Sequence, residues 1–166
     1  MNLDPLTGFS GDQFTLIHNT GGYSVVGTFA GLAEGDTFTV AGRVYRISYT
    51  GGAGHDVVLR WVIDDASYKV APSQTLHVTV ERGLLWYGNN VNGDTLTVVA
   101  INNTRLVNGS ITIVIASGAS LTVHSDGSFD YIAVANPSYW EDDFSFTISD
   151  GLNEVTATLH IIIGGP

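Results

Sequence analysis

The run Gly51-Gly52-Ala53-Gly54-His55-Asp56-Val57-Val58-Leu59 fits the calcium nonapeptide G-G-x-G-x-D-x-U-x. In that motif each ion sits between stacked turns and takes ligands from both, so consecutive copies are needed. The chain has a single copy. The run is therefore expected to be a Gly-rich turn feeding a strand, with the Asp56 carboxylate capping the turn. A second acidic group is Asp64-Asp65, which Asp94, Asp142 and Asp143 could join from loops. Calcium takes about six to eight oxygens, several of them charged. The candidate calcium ligands are Asp64, Asp65, Asp94 and Asp143; the alternative is a solvated acidic linker.

Other reactive groups are sparse. A Lys–Asn or Lys–Asp isopeptide crosslink needs a buried amine beside a protonated acid. Lys69 is the only lysine, and alternation that turns Tyr68 and Val70 inward turns Lys69 to water. The histidines at 18, 55, 77, 124 and 160 show no His-x-His or His-Glu-x-x-His spacing, so satisfied or exposed strand histidines are expected. No Gly-x-Ser-x-Gly elbow is present to strain a serine nucleophile. Asp126 and Asp130 flank a hairpin, as turn acids commonly do. With no acid–base or nucleophilic motif, an enzyme is not expected. Trp86-Tyr87 and Tyr139-Trp140 are adjacent aromatic pairs and the candidates for a sugar-stacking platform. On a strand, neighbours point to opposite faces, so at most one of each pair would join a core.

The rest of the composition limits what these residues can serve. The 166 residues carry 16 Asp and Glu against 6 Lys and Arg, a net charge of −10. Six scattered cations cannot form the basic stripe that nucleic acid requires, and an anionic membrane surface is disfavoured for the same reason. Hydrophobic residues at 44% and charged residues at 13% suit a packed core, not a disordered chain. There is no cysteine, which excludes disulfides and thiolate chemistry. No apolar run approaches the roughly 20 residues of a membrane helix. Asn2-Leu3-Asp4-Pro5 does not read as a signal peptide, and Ile161-Ile162-Ile163 before Gly164-Gly165-Pro166 reads as a last strand at the edge of a longer protein's segment.

Period-two alternation runs through the chain, and no helical stripe is sustained. Strands are expected at 14–18, 24–29, 37–40, 43–49 and 56–62, then at 68–70, 75–80, 95–101, 110–116, 120–124, 128–132, 144–149 and 154–163. Pro72 should mark an edge or a strand that switches sheets. The boundary is expected at Trp61-Val62-Ile63-Asp64-Asp65, giving domains at 1–62 and 63–166. About seven or eight strands over 64–163 argue a β-sandwich.

Several stretches of the second domain carry a family resemblance. They are Asp65-Ala66-Ser67-Tyr68-Lys69-Val70, Asn92-Gly93-Asp94-Thr95-Leu96-Thr97-Val98, Asp126-Gly127-Ser128-Phe129-Asp130-Tyr131 and Asp143-Phe144-Ser145-Phe146-Thr147-Ile148-Ser149-Asp150-Gly151. In order and spacing they resemble the cadherin-like and Ig-like repeats strung in tandem through large bacterial surface proteins. Phe146 stands where that pattern has Tyr, and Gly88, Asn90 and Asn92 stand where it often has alternating Asp. Carboxamide oxygens are weaker calcium ligands than carboxylates. Gly27-Thr28-Phe29-Ala30-Gly31-Leu32-Ala33-Glu34-Gly35 and Ile47-Ser48-Tyr49-Thr50-Gly51-Gly52-Ala53-Gly54-His55-Asp56-Val57-Val58-Leu59 are similar to the β-module that follows β-helical repeats in autotransporter-type proteins.

The resemblance implies an all-β fold: a small β-sheet domain like a β-helix cap, then an Ig-like or cadherin-like β-sandwich. It implies a non-catalytic structural or adhesive module of an extracellular or cell-surface bacterial protein. Its partners would be neighbouring domains of the same chain and a cell-surface or glycan ligand, with neither nucleic acid nor membrane insertion. The alternatives are a carbohydrate-binding module using the paired aromatics, or a linker stiffened by calcium.

Overall fold

In the computed structural model, the described residues are 13–40, 43–88, 95–135, 140–151 and 153–164. They form two units that divide after Val62.

The first unit is one antiparallel sheet. Its strands are β1 (Gln13–Ile17), β2 (Thr37–Val40), β3 (Arg43–Gly51) and β4 (Asp56–Val62), in the order β1-β4-β3-β2. Alternation selects one face for the core. Tyr45, Ile47 and Tyr49 from β3 and Val57, Leu59 and Trp61 from β4 are buried, while Arg46, Thr50 and Arg60 are exposed. Phe14 packs edge-on against Tyr45 at 5.6 Å. The Arg43 guanidinium lies 4.9 Å over the Trp61 ring, whose buried indole N–H has no hydrogen-bond partner.

The strand expected at 24–29 does not form. Residues 18–36 are irregular, with Gly27 at φ +90°, and Tyr23 and Val26 are 86% and 98% exposed. Among the described residues, alternation there finds no neighbouring strand to pair with. The segment is instead pinned to β3 from outside the ladder. The Tyr49 hydroxyl accepts from the Phe29 N–H (2.7 Å) and donates to the Leu32 carbonyl (2.8 Å), and a Glu34 carboxylate oxygen accepts from the Tyr49 N–H (2.6 Å).

The second unit holds two sheets. They are built from β5 (Ala66–Val70), β6 (Thr75–Val78), β7 (Thr97–Ile101), β8 (Thr104–Arg105), β9 (Ser110–Val114), β10 (Ser120–His124), β11 (Phe129–Ile132), β12 (Glu141–Ser149) and β13 (Glu154–Ile163). One sheet runs β6-β11-β10-β9 and the other β5-β13-β12-β7-β8. All pairs are antiparallel except β5 with β13, which run parallel from Ala66–Leu159 to Val70–Ile163. Pro72 falls between β5 and β6, which lie in different sheets. The chain therefore changes sheets where the ladder donor is missing.

The core of this unit is the inward side of both sheets. Phe129, Tyr131, Leu121, Phe144, Phe146, Ile148, Leu159 and Ile161 are fully buried. Each such side chain contributes about 1.5–3 kcal/mol of transfer free energy. Residues 80–88, at the end of the strand expected at 75–80 and beyond it, form two 3-10 turns, Val80–Arg82 and Leu84–Gly88. They dock where two glycines meet. The Leu84 N–H donates to the Gly127 carbonyl at 2.9 Å, and a Cβ on Gly83 would stand 2.3 Å from that same oxygen. The β10–β11 turn carrying Gly127 is held by Asp126, whose carboxylate accepts from the Ser128 N–H (3.0 Å) and hydroxyl (2.6 Å).

Candidate functional site

Among the described residues, a gathering of ionisable groups lies on the solvent face of the five-stranded sheet. The hairpin β12–β13 is in register from Glu141–Ile162 to Ser149–Glu154, which sets Asp143 directly across from His160. Alternation turns Glu141 and Asp143 outward and Asp142 inward. The His160 Nδ1 stands 2.7 Å from an Asp143 oxygen and 3.1 Å from a Glu141 oxygen. The hydrogen bond to Asp143 raises the imidazole's pKa; Glu141 and Asp65 add to this, and desolvation opposes it. A charged imidazolium is thus favoured between these carboxylates.

Of the acids expected as calcium ligands, Asp65 and Asp143 both act on His160 electrostatically. Asp65 also accepts from the Thr158 N–H at 2.7 Å. Asp64 is exposed. Asp94 lies outside the described residues. Asp142, expected as a further loop ligand, is instead buried on β12, where its carboxylate accepts a hydrogen bond from the Tyr131 hydroxyl. Burial and that carboxylate raise the Tyr131 pKa. The ligand atoms of Glu141, Asp143 and His160 fall within 4.8 Å of one another. Two carboxylates and an imidazole nitrogen suit a borderline transition metal better than calcium, which takes oxygens throughout.

Glu141 and His160 did not stand out in the sequence. The signal that finds them is register. Once Asp150-Gly151 is read as the turn, stepping equally outward from Ser149 and Glu154 brings Asp143 opposite His160.

The aromatic candidates fall on a 3-10 turn and at the start of β12. Trp86 is 72% exposed and sits on a 3-10 turn, not a strand. Tyr87 is half-buried and meets Tyr68 edge-on at 6.3 Å, which in turn meets Phe129 at 5.0 Å. Trp140 is 64% exposed, and its carbonyl accepts from the Ile163 N–H at 2.8 Å. Tyr139 lies outside the described residues. The Trp86 turn packs toward Gly127 and, through Gly88, toward Leu96 and Ile148. Trp140 stands at the other end of β12, roughly 27 Å from Ile148 at about 3.4 Å per residue.

Three of the five histidines, His18, His77 and His160, pair with acids. His77 Nδ1 is 2.5 Å from Asp130, its cross-strand partner. His18 Nδ1 is 3.3 Å from Asp56. The Asp56 carboxylate also accepts from the Asn19 N–H at 2.9 Å, which lowers its pKa. In the nonapeptide-like run, Asp56 thus ties the end of β1 to the turn. Lys69 is exposed beside buried Val70.

Residues 61–162 match the family described as bacterial Ig domain. No curated protein and no solved structure matches the chain.

Proposed function

The chain belongs to the bacterial Ig domain family, and from that premise we propose that it serves as a non-catalytic, stiff spacer in a long extracellular or cell-surface protein. The observation that carries this reading is the parallel pairing of β5 with β13 over Ala66–Val70 and Leu159–Ile163. Tension applied before Asp64 and after Gly164 pulls these neighbours in opposite senses along their length. The ladder is then loaded in shear, so its hydrogen bonds must fail together and not one at a time. A domain first strand held this way resists extension, as a spacer must.

The reading extends to the whole chain. Residues 1–62 and 63–166 act as separate modules, the first as a cap for an upstream β-helix. Among the described strands β1 and β2 are the edges of the sheet, which supports that role, since a cap needs an edge for pairing. The surrounding domains of the same chain are the main partners. An acidic, lysine-poor surface keeps crowded copies apart.

Pulling the chain by its ends in a force spectrometer tests the reading. The Gly164 N–H bonds the Val70 carbonyl, so the backbone groups of Ala66, Tyr68 and Val70 face β13; Tyr68→Pro removes a ladder donor from β5 and should lower the unfolding force of the second unit clearly. An unchanged force overturns the shear argument.

A second reading, glycan binding, is supported by exposed Trp86 and Trp140. Trp fluorescence titrated with soluble sugars distinguishes the two readings: quenching favours glycan binding, and no response favours the spacer.

A further inference from the structure

The first unit carries a feature that a spacer does not need. Arg46 of β3 and Arg60 of β4 are direct cross-strand partners on the exposed face of the sheet. Directly opposed like charges destabilise a strand pair. In a chain with 16 acids and 6 cations, such a pairing is easily relieved by a neighbouring carboxylate. Among the described residues no carboxylate forms an ion pair with either guanidinium; Arg60 donates instead to the Gln13 amide oxygen at 3.0 Å. Both arginines line a concavity of about 570 Å³. Its wall also includes Gln13, Glu34, Ser48 and Thr50. One Glu34 oxygen is held by the Tyr49 N–H, which fixes the carboxylate in place.

These groups define a ligand. Two guanidinium forks offer more donors than Gln13 uses, and they suit a planar or tetrahedral oxyanion. A bare oxyanion would leave most of the volume empty and would meet Glu34 as a repulsive neighbour. A ligand that carries an oxyanion at one end and hydroxyl groups elsewhere meets neither objection. Its hydroxyls donate to Glu34 and exchange hydrogen bonds with Ser48, Thr50 and Gln13. We infer that the Arg46–Arg60 concavity of the first unit binds an acidic sugar residue, its carboxylate or sulfate group seated on the arginine pair.

The test uses the whole chain, isotope-labelled, titrated with methyl glucuronide, glucose 6-sulfate and methyl glucoside and followed by amide chemical shifts. The expected result is saturable shifts at residues 34–35, 46–52 and 58–62 with one or both charged sugars, weakened by salt, and none with the neutral glucoside. Which charged sugar binds more tightly identifies the carboxylate or the sulfate as the group recognised. Arg46→Gln and Arg60→Gln should each weaken binding by about tenfold or more. Because each removes an opposed charge, neither should lower Tm. No shift with either acidic sugar, or equal shifts with the neutral one, overturns the inference on the wild-type protein alone. Variants that lose Tm yet keep their affinity overturn it as well.

Discussion

The Asp143 carboxylate and the His160 imidazole face each other across the β12–β13 ladder at 2.7 Å, on the solvent side of the sheet. Their coupling makes stability depend on pH. The folded-state pKa of His160 is raised above its ordinary value of about 6.5. The contribution is therefore fully present below that value and is lost as pH rises through the folded-state pKa. The pair is exposed, so its worth is at most about 1 kcal/mol. Urea midpoints compared at pH 6 and pH 9 should differ more in the wild type than in His160→Asn. Equal differences would show that the pair contributes nothing.

Gly83→Ala should destabilise the second unit by about 1–3 kcal/mol, the usual cost of overpacking. The new methyl meets the Gly127 carbonyl oxygen at 2.3 Å, and backbone cannot rotate away as a side chain can. Chemical denaturation followed by circular dichroism measures the loss. An unchanged midpoint would mean the 3-10 turns dock with more freedom than this contact implies.

The β12 hairpin shows how far sequence reasoning reaches. Strand type, the Asp150-Gly151 turn and the inward set Phe144, Phe146 and Ile148 follow from alternation and turn chemistry. So does the exposed position of Lys69. Features that depend on tertiary partners do not follow. Ser24 to Phe29 alternates like a strand but, among the described residues, has no strand beside it. Trp86 and Tyr87 lie on a 3-10 turn because Leu84 and Gly88 are drawn into the core, and that docking surface is made by distant residues 127 and 148. Asp142 looked like a loop acid because β12 begins at Glu141, three residues earlier than its aromatic alternation suggests. The cluster at His160 could be reached only by counting register across the turn.

Tyr131→Phe should cost about 1–3 kcal/mol, since it leaves the buried Asp142 carboxylate without the hydroxyl that satisfies it. Adding Asp142→Asn in the same chain should recover part of the loss by removing the charge. A denaturation double-mutant cycle checks this. Strict additivity would show that the two groups do not interact.

Asp56→Asn should loosen residues 18–19 from the turn that follows β3. The Asn19 N–H holds the Asp56 carboxylate below its ordinary pKa of about 3.8. That contribution is present above the ordinary value and is lost as pH falls through the folded-state value. Hydrogen exchange at the Asn19 amide should accelerate in the variant at neutral pH, with little change in β12 or β13. Unaltered exchange at Asn19 would remove Asp56 from this role.

The Arg43 guanidinium lying over Trp61 has a practical consequence for the laboratory. Trp61 is sealed from solvent, whereas Trp86 and Trp140 are open to it. Emission from the sealed ring belongs at the blue edge of the spectrum and that from the other two at the red edge. One native fluorophore thus reports the melting of the small sheet, and its signal can be read apart from the sandwich without any label.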